Sequence, residues 1–225
     1  MTKKGMLITF EGGEGAGKTT HAELFKNYLT QKGLSFFATR EPGGTDFSEA
    51  VRALTKDMRF QDKSSLSELF LFEAARADIV EKRIIPALKE GKIVIMDRFY
   101  DSTTVYQSFG RGLNRADVEN FNKAASQGLV PDLTIYLKVP QQDAFARKGG
   151  ADKNDAIEQS GADFHERIRK GFDILAKENP DRFLVVDSTL PIAEVFKQIT
   201  TAFEQKYNEK NSKKGKNCER EFTKF

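Results

Sequence analysis

Residues 12–19 read Gly-Gly-Glu-Gly-Ala-Gly-Lys-Thr, an unbroken match to GxxxxGK[ST], and no other feature limits the possible folds as tightly. The apolar run at residues 6–10 precedes it, and a helical pattern through Ala22, Phe25 and Leu29 follows, ending at Gly33. Strand, glycine-rich loop and helix in that order make a phosphate cradle. The glycines let successive backbone N–H groups turn inward on phosphate oxygens, and the helix presents its positive end. Lys18 then reaches the outer phosphates and the Thr19 hydroxyl faces Mg²⁺. Gly12, Gly13, Glu14, Gly15, Ala16, Gly17, Lys18, Thr19 and Thr20 are the expected binding set for a nucleoside triphosphate.

The rest of the chain alternates short apolar runs with helical patterns. Strands are expected at residues 6–10, 34–39, 92–96, 133–139 and 183–186. Between them, helices are expected at 18–32, 47–54, 64–90 with a bend at Pro86, 101–109, 115–127, 141–148, 161–177 and 192–207. This pattern predicts the α/β class, with a five-stranded parallel sheet flanked by helices. At 225 residues one domain over 1–207 is expected, with a short lid at about 141–158 and a flexible basic tail at 208–225. No apolar run approaches a membrane span, and residues 1–5 lead into too short an apolar stretch for a secretory signal. A cytoplasmic protein is expected. Cys218 stands alone, so no internal disulfide forms, and with only His21 and His165 beside it no zinc site has usable spacing. A net charge of +3 with no basic aromatic stripe gives no footprint for nucleic acid.

A switch GTPase would need DxxG and NKxD, and neither occurs. A motor or transporter ATPase would carry further coupling modules, so a small-molecule kinase fits best. Asp97 and Arg98 end the apolar run at 92–96, where a carboxylate beside the loop can serve Mg²⁺ and a guanidinium can clamp phosphate oxygens. Phe72 and Arg76 lie four apart on a helix and share a face, which suits base stacking and edge bonding, although a packed ring and a surface arginine are the commoner account of such a pair.

Further landmarks are FEGGEGAGKTT at 10–20, TREPGGT at 39–45, LFEAAR at 71–76, DRFYDSTTVYQ at 97–107, GRG at 110–112 and PDLTIYL at 131–137. Their order and spacing resemble thymidylate kinases of the bacterial class along residues 6–207. The resemblance implies a P-loop NTPase fold, ATP with Mg²⁺, dTMP as acceptor and a homodimer. It further implies that Phe72 stacks on thymine, that Arg76 bonds its carbonyl, and that Thr103, Tyr106 and Gln107 line base and deoxyribose. Arg40, Glu41, Arg52 and Arg98 fall on the acceptor side, and Glu14 meets the sugar's 3′-hydroxyl. Lys18, Arg98, Arg147 and Glu14 are the implied catalytic residues, and Thr19 and Asp97 the metal ligands.

The lid departs from the pattern. Arg147 matches the first lid arginine, but Gly149, Gly150 and Ala151 follow it, with Lys148 and Lys153 nearby and Ala156 between Asp155 and Glu158. Lysine supplies charge without the arginine fork. The alternatives left open are another nucleoside or nucleoside-monophosphate kinase, and a nucleotide-binding regulator without turnover.

Overall fold

The computed structural model describes residues 5–148 and 161–221. Five strands form one parallel sheet in the order β2-β3-β1-β4-β5. They are β1 (Met6–Glu11), β2 (Phe36–Arg40), β3 (Ile93–Asp97), β4 (Leu133–Lys138) and β5 (Phe183–Asp187). Every residue of β1 is buried, as expected of a central strand covered on both faces. The strand-to-strand connections run through α1 (Lys18–Gln31), α2 (Asp46–Lys56) with α3 (Ser65–Ile79) and α4 (Ile85–Lys89), then α5 (Tyr100–Thr103) with α6 (Arg115–Ala125), and α7 (Gln141–Lys148) with α8 (Ala162–Glu178). The chain closes on α9 (Ile192–Glu221).

Two clusters pin the helices to the sheet. On one face Phe10, Phe25, Leu29, Ile135 and Phe203 are fully or almost fully buried, with Phe25 edge-on to Phe203 at 5.1 Å. On the other, Leu7, Ile79, Val80, Ile84 and Phe99 form a second core. Parallel pairing then fixes the site: Phe10 and Arg40 both lie opposite Asp97, so the carboxyl ends of β1, β2 and β3 finish at one level. Ligands of open α/β sheets bind in that crevice.

Three expected elements differ from the structure. The helix expected over 64–90 is divided by a π-helical turn at Val80–Ile84 before α4. Pro86 cannot donate to the carbonyl four residues back and its ring crowds it, so the ladder widens just ahead of the proline. The helix expected over 101–109 is only α5 followed by a second π-helical stretch, Thr104–Gly110. The last helix passes the expected end at Tyr207, and Lys210 bonds both carboxylate oxygens of Asp132 at 2.7 Å. Among the described residues, no helix is long and apolar enough to cross a membrane.

Candidate active site

The loop after β1 turns on glycines, one of which leaves no room for a side chain. Gly15 has φ +70°, and a Cβ there would sit 2.3 Å from the carbonyl oxygen of Ala144 on α7, so the loop backbone packs directly on that helix. Lys18 is buried and folds back on its own loop, donating to the carbonyls of Gly13 at 2.7 Å and Gly12 at 3.2 Å. Burial, and then the Arg98 charge, push its ammonium down to about 8. Thr19 donates its hydroxyl to Asp97 Oδ2 at 3.0 Å. Thr20 completes this part of the cavity wall.

Arg98 adopts φ +70°, a conformation that costs a side-chain-bearing residue roughly 1–3 kcal/mol. Its guanidinium is anchored in compensation. Nη1 donates to the Gly12 carbonyl at 2.9 Å and to Ser102 Oγ at 3.0 Å, and Nη2 to Glu14 and to the Tyr106 hydroxyl. Below it, Glu11 accepts from the Phe99 amide at 2.8 Å and from Ser102 Oγ at 2.5 Å. Burial, followed by the Asp101 charge, raises the Glu11 carboxyl to about 8. Glu11 and Ser102 were not expected from sequence; the signal was an acid ending a strand that is apolar but for Thr9, and a hydroxyl one helical turn beyond Arg98.

Arg76 is 1% exposed rather than a surface arginine. Its fork reaches Glu41 Oε2 at 2.8 and 2.9 Å, both oxygens of Glu73 at 2.9 Å, Asn122 Oδ1 at 2.8 Å and Thr103 Oγ1 at 2.7 Å. Burial raises Glu41 to about 7 against the pull of Arg76, and Glu41 Oε1 has no hydrogen-bond partner. Asn122 was missed because it reaches Arg76 only once α3 and α6 pack together, and Glu73, three residues from Arg76 on α3, was not singled out. Gln107 is fully buried, with its Nε2 on Glu68 Oε1 at 2.8 Å and its Oε1 unpartnered.

Arg40 bonds both oxygens of Glu49 at 3.0 Å, and Arg52 donates to the Pro42 carbonyl at 3.1 Å. Arg147 is exposed and donates to the Ser188 carbonyl at 2.7 Å and its hydroxyl at 3.3 Å. Ser188 in turn donates to the Ala16 carbonyl at 2.8 Å. Of the other lid positions, Gly149, Gly150, Ala151, Lys153, Asp155, Ala156 and Glu158 lie outside the described residues, as does the Lys148 side chain.

One cavity of about 810 Å³ joins these groups. Its wall includes the loop from Glu14 to Thr20, Arg40, Glu41, Arg52, Phe72, Arg76, Asp97, Arg98, Thr103, Tyr106, Gln107 and Arg147. Gly12 and Gly13 stand behind it, supplying the carbonyls that hold Lys18. A glycine-loop helix on a parallel sheet, with Phe72, Tyr106 and buried polar groups in the wall of the same cavity, defines a P-loop phosphotransferase. Residues 10–199 match the family model for thymidylate kinase, and the chain belongs to that family. It is 45% identical over 194 residues to thymidylate kinase of Dehalococcoides mccartyi, covering 86% of this chain and 93% of the relative. The thymidylate kinase of Chlorobaculum parvum is 40% identical over 208 residues, covering 88% and 95%. A crystal structure of thymidylate kinase from Ehrlichia chaffeensis superposes with TM-score 0.73 at 34% identity, over 89% of this chain and 99% of that one.

Proposed function

We propose that this chain transfers the γ-phosphate of ATP to dTMP, giving dTDP and ADP on the way to dTTP, in the cytoplasm. The observation that carries the reading is the single cavity with the phosphate loop, Arg98 and the Phe72–Gln107 chamber in its wall. Lys18 and the loop N–H groups hold the ATP phosphates once Lys18 leaves the loop carbonyls. The oxygen pair of Thr19 and Asp97 fits a hard divalent cation, and Mg²⁺ bound there neutralises charge on the ATP phosphates.

On the acceptor side Phe72 stacks on thymine, the unpartnered Gln107 Oε1 accepts from the ring N3–H, and Arg76 faces O4. Thr103 and the Tyr106 ring pack against the deoxyribose, leaving no room for a 2′-hydroxyl, and Glu14 receives the 3′-hydroxyl. Arg98 and Arg52 bind the dTMP phosphate with Arg40 beside them, and Glu41 holds Arg76 in place. A dTMP phosphate oxygen attacks the γ-phosphorus in line as the bond to the β,γ-bridging oxygen breaks. With a second pKa of about 6 the acceptor is already ionised near neutrality, so no general base is needed. Arg147 leaves Ser188 and closes over the transferring group, placing charge where it develops and excluding water.

The fitting partner for the outer face is a second copy of the chain. Leu66 and Phe70, one turn apart on α3, are each 47% exposed, and Phe121 on α6 meets Phe70 edge-on at 5.2 Å. Phe47 and Leu54 on α2 are exposed as well. Apolar clustering of this kind marks an association surface. Sedimentation should give a dimer for the native chain and a monomer for Phe70→Glu; a native monomer overturns the assignment.

The activity is tested by ADP release from ATP and Mg²⁺ with dTMP, dUMP, dCMP, UMP, dGMP or AMP, beside a Lys18→Ala control. Turnover selective for dTMP and lost in the control is expected. Preference for another acceptor, or silence with all six, overturns the reading.

A further inference from the structure

Glu68 lies on α3 and is 4% exposed, yet it is absent from the cavity wall that includes Gln107. It accepts from Gln107 Nε2 at 2.8 Å and from Arg111 Nε and Nη2 at 3.3 and 3.2 Å, with Lys63 Nζ at 3.9 Å. A carboxylate between two cations can only accept hydrogen bonds, so the Gln107 amide must turn its nitrogen toward Glu68 and its oxygen away. That oxygen is fully buried and has no partner in the protein. A buried acceptor without a protein partner, on a residue that lines the cavity, calls for a donor on the ligand.

We propose that Glu68 is a positioning residue for base selection: by locking the Gln107 amide in one orientation it admits bases with a ring N–H and rejects those with a ring nitrogen lone pair there. This rests on the Phe72–Gln107 chamber being the base seat. Thymine and uracil carry N3–H, which meets Gln107 Oε1. Cytosine has a lone pair at N3 instead, which meets the same oxygen and is repelled by it. Without Glu68 as a fixed acceptor, the amide can present its NH₂ instead and the repulsion at N3 disappears.

The test compares kcat, KM and calorimetric Kd for dTMP, dUMP and dCMP in the native chain, Glu68→Gln, Glu68→Ala, Glu68→Asp and Gln107→Ala. Glutamine at 68 donates as well as accepts, so dTMP and dUMP should weaken together by about tenfold or more, mostly in KM and Kd, while dCMP holds or improves. Glu68→Ala should show the same loss of discrimination if Glu68→Gln does not fold, and Glu68→Asp should retain the native preference. Equal weakening of all three acceptors means Glu68 acts only on the fold and overturns the proposal. Altered discrimination in Gln107→Ala with none in the folded Glu68 variants overturns the role of Glu68 alone. Unchanged discrimination in Gln107→Ala puts the base elsewhere and overturns the seat along with the proposal.

Discussion

The two ends of the cavity are built to different standards of rigidity. At the end proposed for the base, Arg76 is buried with its donors committed to Glu41, Glu73, Asn122 and Thr103, and the Gln107 amide nitrogen is bonded to Glu68. At the end proposed for phosphate, two of the cations rest on groups that a ligand can displace: Lys18 on two loop carbonyls, and Arg147, exposed, on Ser188. Breaking a buried ion network leaves uncompensated charge, whereas exchanging a carbonyl for a phosphate oxygen strengthens the bond to an ammonium. On the proposed reading, recognition of the acceptor is folded into the core, and the machinery for transfer is left to assemble around ATP.

The contrast can be broken at either end. The largest expected effect is Lys18→Ala, which should lower kcat by about 1000-fold or more while leaving calorimetric dTMP affinity nearly unchanged; equal loss of dTMP affinity would mean the ends are not separable. Arg76→Met strikes the rigid end, leaving Glu41 and Glu73 buried without their cation, and should cost about 3–5 kcal/mol in urea unfolding. Stability within about 1 kcal/mol of native would show that this network is as replaceable as the phosphate end. Arg147→Ala strikes the loose end, where about a 10–100-fold loss of kcat with unchanged melting temperature is expected; a lowered melting temperature would make its bond to Ser188 structural.

The smallest effect is in pH. With its folded pKa held down to about 8, Lys18 is charged below that pH and loses its proton above it. ATP phosphates favour the charged form, so binding above pH about 8 draws a proton from solution and weakens by up to about tenfold per unit. Calorimetry in buffers of different ionisation enthalpy should detect that uptake with ATP above pH 8 and almost none below pH 7. No uptake at pH 9 would put the depressed ionisation of Lys18 in error.

How much was legible beforehand followed the range of the interactions. The loop at 12–19 needed only local glycines and a helix start, and Asp97 and Arg98 were visible as the polar end of an apolar strand. The five strands and their parallel class came from alternation of apolar runs with helical patterns, a signal confined to short windows. The widened turns at Val80–Ile84 and Thr104–Gly110 were not legible, because a change in helical ladder leaves the apolar pattern nearly intact. Glu68 and Glu73 read as ordinary acids on an amphipathic helix.

By itself the sequence determined the phosphate loop, the α/β alternation and the family, each held in residues that are neighbours along the chain. Only the tertiary structure decided that Arg76 is buried, that Gln107 turns its nitrogen to Glu68, that Arg147 rests on Ser188 and that β1, β2 and β3 end at one level. Those facts depend on partners between 3 and 46 residues apart and on strand register. Burial makes the pairings specific, because a charge or amide withdrawn from water must find its partner wherever the fold has placed it.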